Sequence, residues 1–311
     1  MVLDRLRSYL GESGSLKGTE VLENSGTSPS RVIPLGGIEE VRKRLDEVDL
    51  SEADSYTVGD VHFGTFSQWA TAASSVRDPD KARNILYFGF QPLYDALIRR
   101  DFHDGQADVA VRALDKVCEI GREFLTGCYL GEPNVEILRE GAKELGEEMD
   151  NLHDVGFRPK FKNVDYNHIY PSHIVLFMRQ VVDYALDGKM EMPDFIMGCA
   201  CGSAEIVMPL AGILGVEFGF IRRSYRRGDD APRIVEAHVD RFKQDLEGLN
   251  LLCVEDYVCT GTSLGKVMRR AKEFGPAEIA GVSINNTGNN RSSLTCKVNA
   301  RKFQMYTLPE G

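Results

Sequence analysis

Residues 250–264 (NLLCVEDYVCTGTSL) combine the residue types best suited to chemistry in this chain. An apolar run typical of a buried strand leads into two adjacent acids, Glu255 and Asp256, which could accept hydrogen bonds from vicinal hydroxyls at the ligand crevice of an open α/β sheet. A Thr/Gly/Ser stretch at 260–263 then opens a helical pattern, and amides at a helix N-terminus suit a phosphate monoester. The segment therefore predicts a site for a ribose 5-phosphate, with a divalent metal near the acids.

The same order of residues resembles the phosphoribosyl pyrophosphate (PRPP) motif of type I phosphoribosyltransferases. The resemblance implies transfer of a 5-phosphoribosyl group from PRPP to a nitrogen acceptor, with release of pyrophosphate and a requirement for Mg²⁺. It also implies that Glu255 and Asp256 contact the ribose and act in catalysis. The residues expected to hold the 5-phosphate are Thr260, Gly261, Thr262 and Ser263.

An upstream segment, residues 194–207, reads as a strand, a loop of small residues and a helix. It resembles the loop in which backbone amides of the family meet pyrophosphate. The residues expected there are Cys199, Ala200, Cys201 and Gly202. Small residues buried for packing alone are the alternative interpretation.

Five arginines lie within residues 222–233, in a chain of net charge −10. The segment occupies the place of the flexible catalytic loop of the resembled family, in which mobile guanidinium groups would neutralise the departing pyrophosphate. The residues expected to take part are Arg222, Arg223, Tyr225 and Arg226. A solvated charged hairpin, or a patch for another polyanion, is the alternative.

One position departs from the pattern of hypoxanthine-guanine-type members. They carry an Asp directly before the Thr-Gly of the motif, whereas this chain has Cys259. Cysteine is a poor substitute for a carboxylate in proton transfer with the base, so a 6-oxopurine acceptor is disfavoured and the acceptor stays open. The base could be covered by the N-terminal region or by residues 285–291, whose Asn/Gly pattern is also typical of an ordinary turn.

The elements needed to position these residues fall into two regions. Residues 1–160 show helical periodicity at 38–48, 78–102, 105–125 and 133–152, after a loop or arm at 11–36. Beyond a helix at 171–186, short apolar runs at 194–198, 216–221, 249–254, 278–284 and 303–308 alternate with helical patterns at 204–214 and 263–274. This alternation predicts an α/β domain over 161–311, with a parallel sheet covered by helices on both faces.

Composition limits the other functions. The 311 residues include no apolar stretch of membrane-spanning length and no signal-peptide pattern, and the whole net charge of −10 lies in residues 1–160. We therefore expect no membrane and no nucleic-acid partner. The seven cysteines, an odd number without zinc spacing, indicate reduced thiols in the cytoplasm.

The resemblance implies PRPP and a small-molecule base as partners, and a homodimer as the assembly. Two other hypotheses stay open. One is a PRPP-binding sensor that has lost the reaction. The other is a protein whose main activity is the binding of a partner by residues 1–160.

Overall fold

The computed structural model describes residues 37–49, 63, 65–99, 106–148, 152, 171–200, 202–223, 231–258, 261–286 and 303–305. Within these ranges, the helices before the sheet are α1 (Gly37–Glu47), α2 (Phe66–Ser75), α3 (Pro79–Arg99), α4 (Gln106–Tyr129), α5 (Val135–Glu148) and α6 (Pro171–Leu186). The mainly helical N-terminal region is therefore confirmed. The arm expected at residues 11–36 lies outside the described residues.

The rest of the described chain alternates strands and helices: β1 (Phe195–Ala200), α7 (Ala204–Leu214), β2 (Glu217–Arg222), α8 (Glu236–Asp245), β3 (Asn250–Val258), α9 (Thr262–Lys272), β4 (Glu278–Asn286) and β5 (Phe303–Met305). The strands form one sheet in the order β2-β1-β3-β4-β5, and every neighbouring pair in it is parallel. The predicted parallel α/β core is confirmed. None of the described helices is long and apolar enough to cross a membrane.

Two strands run further than the apolar pattern predicts. β1 continues to Ala200 because Cys199 and Ala200 pair with the level positions of β2, and β3 continues to Val258 against β4. Glu255 and Asp256 therefore lie within a paired strand and not in the loop after it. The lengths of β1 and β3 are set by backbone hydrogen bonds to the neighbouring strands. These bonds do not depend on whether a side chain is apolar.

The two faces of the sheet pack against different helices. Phe195, Met197 and Cys199 of β1 belong to a core cluster with apolar residues of α8 and α9. Ile196 and Ala200, which alternate with them, belong to the cluster formed by α6, α7 and the N-terminal helices. The period of two along a buried strand thus sends successive side chains of β1 to opposite helical layers.

The N-terminal helices share this second cluster with the sheet, so the core is continuous across residue 160. Gly121 of α4 lies directly against the sulfur of Met208 on α7, where a side chain at residue 121 would not fit. Gly212 of α7 lies in the same way against Thr126. The absence of side chains at these positions allows α4 and α7 to approach closely.

Two helices that the sequence analysis did not predict, α2 and α8, complete these layers. α2 begins after Thr65, whose hydroxyl accepts a hydrogen bond from the amide of Gln68 at 3.2 Å. Trp69, fully buried, donates from Nε1 to the carbonyl of Ile85 at 2.7 Å and ties α2 to α3. The apolar spacing of Phe66, Trp69 and Ala73 was a usable signal for α2.

Candidate functional site

The candidate site lies at the carboxyl end of the parallel strands, where the predicted segments meet. Ala200 at the end of β1 is level with Arg222 at the end of β2, and Gly198 is level with Val254, just before the two acids of β3. Ligands of open α/β sheets bind at this end. Three segments separated in sequence therefore converge on one edge.

The two acids point to opposite sides of the sheet, as successive strand residues must. Glu255 accepts hydrogen bonds from the thiol of Cys199 on β1 and from the backbone amide of Leu264 in α9. Asp256 instead lies against Gly202, and a Cβ built on that glycine would be 2.7 Å from Asp256 Oδ1. Each acid is thus held beside one of the loops predicted to bind phosphate groups.

The electrostatic environment of Glu255 and Asp256 favours the binding of a proton or a cation by this pair of acids. Burial, and then the charge of Asp256, raise the pKa of Glu255 to about 8. The hydrogen bonds from Cys199 and Leu264 and the charge of Arg223 lower it only in part. Burial also raises the pKa of the Cys199 thiol well above its usual value, with Glu255 adding to the effect, so Cys199 is a neutral donor and not a nucleophile.

The raised pKa of Glu255 predicts a pH-dependent stability. The unfolded chain releases this proton near pH 4.5 and the folded protein near pH 8, so the contribution of Glu255 to stability falls as pH rises through that window and is constant above it. We expect Glu255→Gln to gain stability over the wild type increasingly from pH ~5 to ~8, measured by urea unfolding. Glu247→Gln, at an exposed carboxylate, is the control and should show a flat difference. A flat difference for Glu255→Gln as well would contradict the assigned environment.

Two helix N-termini lie at this edge, and in neither does the N-cap residue itself supply a capping side-chain hydrogen bond. Gly261 precedes α9 with φ of 73°, a left-handed conformation that glycine adopts without strain, and the Glu255 carboxylate accepts from the amide of Leu264 in the first turn of that helix. Ser203 precedes α7, but its buried hydroxyl donates to the carbonyl of Cys199 at 3.0 Å. Thr262 and Ser263 lie in the first turn of α9, and their contact with the 5-phosphate stays a prediction. Thr260 lies outside the described residues, as does Cys201.

The adjacent arginines occupy different environments, and the placement of Arg222 in a mobile loop was wrong. Arg222 is the last residue of β2, and its backbone pairs with Arg233. Its buried guanidinium donates from Nε to Asp95 Oδ1 at 2.8 Å and from Nη1 to the carbonyl of Ala200 at 2.9 Å. An arginine held in this way by the fold is not available to follow a departing pyrophosphate.

Arg223 is also buried, at 7% exposure, but Nε and Nη1 of its guanidinium have no hydrogen-bond partner among the described residues. Its charge acts on Glu255. A buried cation without partners is costly unless an anion joins it. Tyr225 and Arg226, the other predicted loop residues, lie outside the described residues.

The family model of the phosphoribosyl transferase domain matches residues 177–293. This segment is a phosphoribosyl transferase domain. The resemblance inferred from residues 250–264 is confirmed, and the domain is that of a transferase that uses PRPP. The match includes every predicted site residue. No curated protein matches the chain.

Solved structures similar to this chain include three nucleobase phosphoribosyltransferases. They are a purine phosphoribosyltransferase from Pyrococcus horikoshii (23% identity, 35% of this chain and 79% of that one, TM-score 0.28), an adenine phosphoribosyltransferase from Saccharomyces cerevisiae (15%, 43% and 79%, TM-score 0.30) and the hypoxanthine phosphoribosyltransferase of Trypanosoma cruzi (18%, 44% and 76%, TM-score 0.29). With TM-scores this far below 0.5, these likenesses carry no argument about the acceptor.

The described residues of the phosphoribosyl transferase domain do not form a metal site by themselves. Among the described residues, no group of three or more His, Cys, Asp or Glu side chains could hold a metal ion. Glu255 and Asp256 are nevertheless hard oxygen donors whose mutual repulsion a cation would relieve. Mg²⁺ is commonly held by one or two carboxylates together with substrate phosphates, so the residues fit a metal that arrives with PRPP.

The close approach of Gly202 to Asp256 predicts a sensitive position in the phosphoribosyl transferase domain. We expect Gly202→Ala to displace the Asp256 carboxylate and to weaken PRPP binding by about tenfold, measured by calorimetry with Mg²⁺ present. Gly146→Ala is the matched control, because no atom lies within 4 Å of its added Cβ. Equal affinities of the two variants would mean that Asp256 does not contact the ligand from this position.

Sequence analysis missed buried contacts that tie the helical region to the end of β2. Asp95, on α3, binds Arg222, and neighbouring Tyr94 donates to the carbonyl of Phe220 at 2.7 Å. An Asp inside the apolar run of residues 93–97 was the available signal, because a buried carboxylate needs a partner.

Proposed function

We propose that this protein binds PRPP at the carboxyl edge of its sheet and transfers the 5-phosphoribosyl group to a nitrogen acceptor, releasing pyrophosphate. The observation that carries the proposal is the buried guanidinium of Arg223, whose Nε and Nη1 have no hydrogen-bond partner among the described residues and whose charge acts on Glu255. PRPP supplies a binding partner for each of these groups. Its pyrophosphate would pair with the Arg223 guanidinium, and its ribose hydroxyls would donate to the acids Glu255 and Asp256.

In this proposal each segment holds one part of PRPP. Glu255 and Asp256 accept hydrogen bonds from the ribose hydroxyls, and the first turn of α9 with its preceding loop, residues 260–263, binds the 5-phosphate. Backbone amides of residues 199–202 and the side chain of Arg223 bind the pyrophosphate. Bound Mg²⁺, held by phosphate oxygens with Glu255 or Asp256, would add charge neutralisation of the leaving group.

The proposed reaction breaks the bond between C1 of the ribose and the pyrophosphate oxygen, whose electron pair leaves with pyrophosphate. The acceptor nitrogen forms the new bond to C1 and loses its proton to the departing pyrophosphate or to water. Positive charge develops at C1 close to the Asp256 and Glu255 carboxylates, while negative charge grows on pyrophosphate close to Arg223. The residues thus stabilise both developing charges without a covalent intermediate.

The testing experiment is a calorimetric titration of PRPP with Mg²⁺ into the wild type and Asp256→Asn. We expect binding that the variant weakens about 100-fold, since a carboxylate accepts from ribose hydroxyls more strongly than an amide does. Asp240→Asn, at an exposed carboxylate of α8, is the control. Absence of PRPP binding to the wild type would overturn the proposal.

A second candidate function is a PRPP sensor without turnover, and the observation that favours it is Cys259 at the position of the catalytic Asp in some family members. A pyrophosphate-release assay over purine, pyrimidine and nicotinate-like bases separates the two. Release with one base identifies the transferase and its acceptor. Binding of PRPP with no release for any base, accompanied by a change in oligomeric state, supports the sensor.

The cellular setting is also a proposal. We propose that the protein acts in the cytoplasm with reduced thiols, which the free Cys118, Cys128, Cys199 and Cys253 support. The homodimer stays a prediction from the resemblance, and sedimentation with and without PRPP tests it.

A further inference from the structure

α3, in the helical region before the phosphoribosyl transferase domain, reaches the strand ends that form the proposed pyrophosphate site. Its Asp95 and the facing Arg222 are both more than nine-tenths buried and paired at 2.8 Å. The same guanidinium donates to the carbonyl of Ala200. One chain of contacts therefore runs from α3 through the end of β2 to the end of β1.

This chain of contacts holds the carbonyl of Ala200, the last residue of β1, in the segment proposed to bind pyrophosphate. Arg222 can hold that carbonyl only while its own guanidinium is held, and Asp95 supplies the ionic partner. The backbone of Arg223, next in sequence, is anchored by the hydrogen bonds between Arg222 and Arg233, at 2.7 and 2.8 Å.

We propose that Asp95 is a positioning residue for the pyrophosphate end of the site, acting through Arg222 on the carbonyl of Ala200 and on the backbone of Arg223. The inference rests on the proposed function, since it assigns the helical region a part in PRPP binding. Asp95 itself touches no substrate. Its effect should therefore appear in binding of the pyrophosphate part of PRPP and not in binding of the ribose phosphate part.

The experiment compares PRPP with ribose 5-phosphate, which lacks the pyrophosphate, in calorimetric titrations of the full chain with Mg²⁺. We expect Asp95→Asn to weaken PRPP about tenfold and ribose 5-phosphate by less than about twofold. Arg222→Lys should show the same selectivity, because a lysine keeps the ion pair but cannot reach Asp95 and Ala200 together. Because Arg222→Lys retains a buried charge pair, it still tests the inference if Asp95→Asn fails to fold.

Tyr94→Phe is the matched control, because it removes a buried hydrogen bond to the carbonyl of Phe220 from the same turn of α3 while Asp95 and Arg222 are both retained. It should lower stability while leaving the ratio of the two affinities unchanged. Equal weakening of both ligands by Asp95→Asn, or weakening of neither, would overturn the inference. Failure of the wild type to bind PRPP would instead overturn the proposed function.

A measurement without ligand distinguishes failure of the positioning role of Asp95 from failure of the proposed function. Hydrogen exchange at the amides of residues 201–203 should accelerate in Asp95→Asn and Arg222→Lys relative to Tyr94→Phe, since the positioning contact is lost only in the first two. Unchanged exchange at these amides would refute the positioning role, whether or not PRPP binds.

Discussion

Arg223→Met is expected to leave the ligand-free protein at least as stable as the wild type while weakening PRPP about 100-fold. The buried guanidinium lacks hydrogen-bond partners for Nε and Nη1 among the described residues, so without a ligand it is a desolvated charge that a methionine of similar length relieves. With PRPP bound, the same guanidinium would form charge-assisted hydrogen bonds to phosphate oxygens. Urea unfolding and calorimetry measure the two quantities separately.

Arg222→Met is the matched control for this prediction, one residue earlier in the chain. Its loss leaves Asp95 buried without its ionic partner and releases the carbonyl of Ala200, so we expect a destabilisation of about 3 kcal/mol. Opposite signs of the stability change at adjacent arginines would identify Arg223 as the one kept for a ligand. A comparable loss of stability in both variants would place Arg223 in the structural framework instead.

Residues 161–311 expressed alone are expected to lose cooperative unfolding, although they contain the whole phosphoribosyl transferase domain. One face of the sheet and the outer side of α7 pack against the N-terminal helices, in a single buried cluster. Removal of those helices would expose this apolar layer, including Met208, to water. Near-ultraviolet circular dichroism during heating and binding of a hydrophobic dye measure the loss.

The control for this truncation is a chain of residues 37–311, which lacks only residues that precede α1. It should keep a cooperative transition. The hypothesis that residues 1–160 act as a separate partner-binding module makes the contrary prediction, that both halves fold by themselves. Cooperative unfolding of the isolated 161–311 fragment with the stability of the full chain would favour that hypothesis and reject a shared core.

The family and the sheet could be predicted from sequence because their signals are local. The acids and the phosphate loop lie within residues 250–264, and a strand, a loop and a helix N-terminus in that order define the chemistry without long-range information. Periodicity likewise indicated the described helices other than α2 and α8, and the alternation of strands and helices along the chain, since each depends on neighbours within two turns or a few residues. Ends of strands were less predictable, as the two acids inside β3 show.

Residue pairs distant in sequence were decided by the tertiary structure. Arg222 and Arg223 are equivalent by residue type. Asp95 lies 127 positions from Arg222, and among the contacts described it pairs with Arg222 and not with Arg223. In the same way Arg83 of α3 donates to Glu205 in the first turn of α7, 122 positions away. Such pairs form when packing brings two buried groups together, and no local pattern encodes the partner.

The sequence by itself therefore determined the family of the domain, because the motif that carries the resemblance is a contiguous stretch of chain. Only the tertiary structure decided which of the two adjacent arginines pairs with a buried acid and that this acid belongs to the helical region. The physical reason is that a buried charge must find its partner wherever the fold places one, and here the partner of Arg222 lies in a helix outside the phosphoribosyl transferase domain.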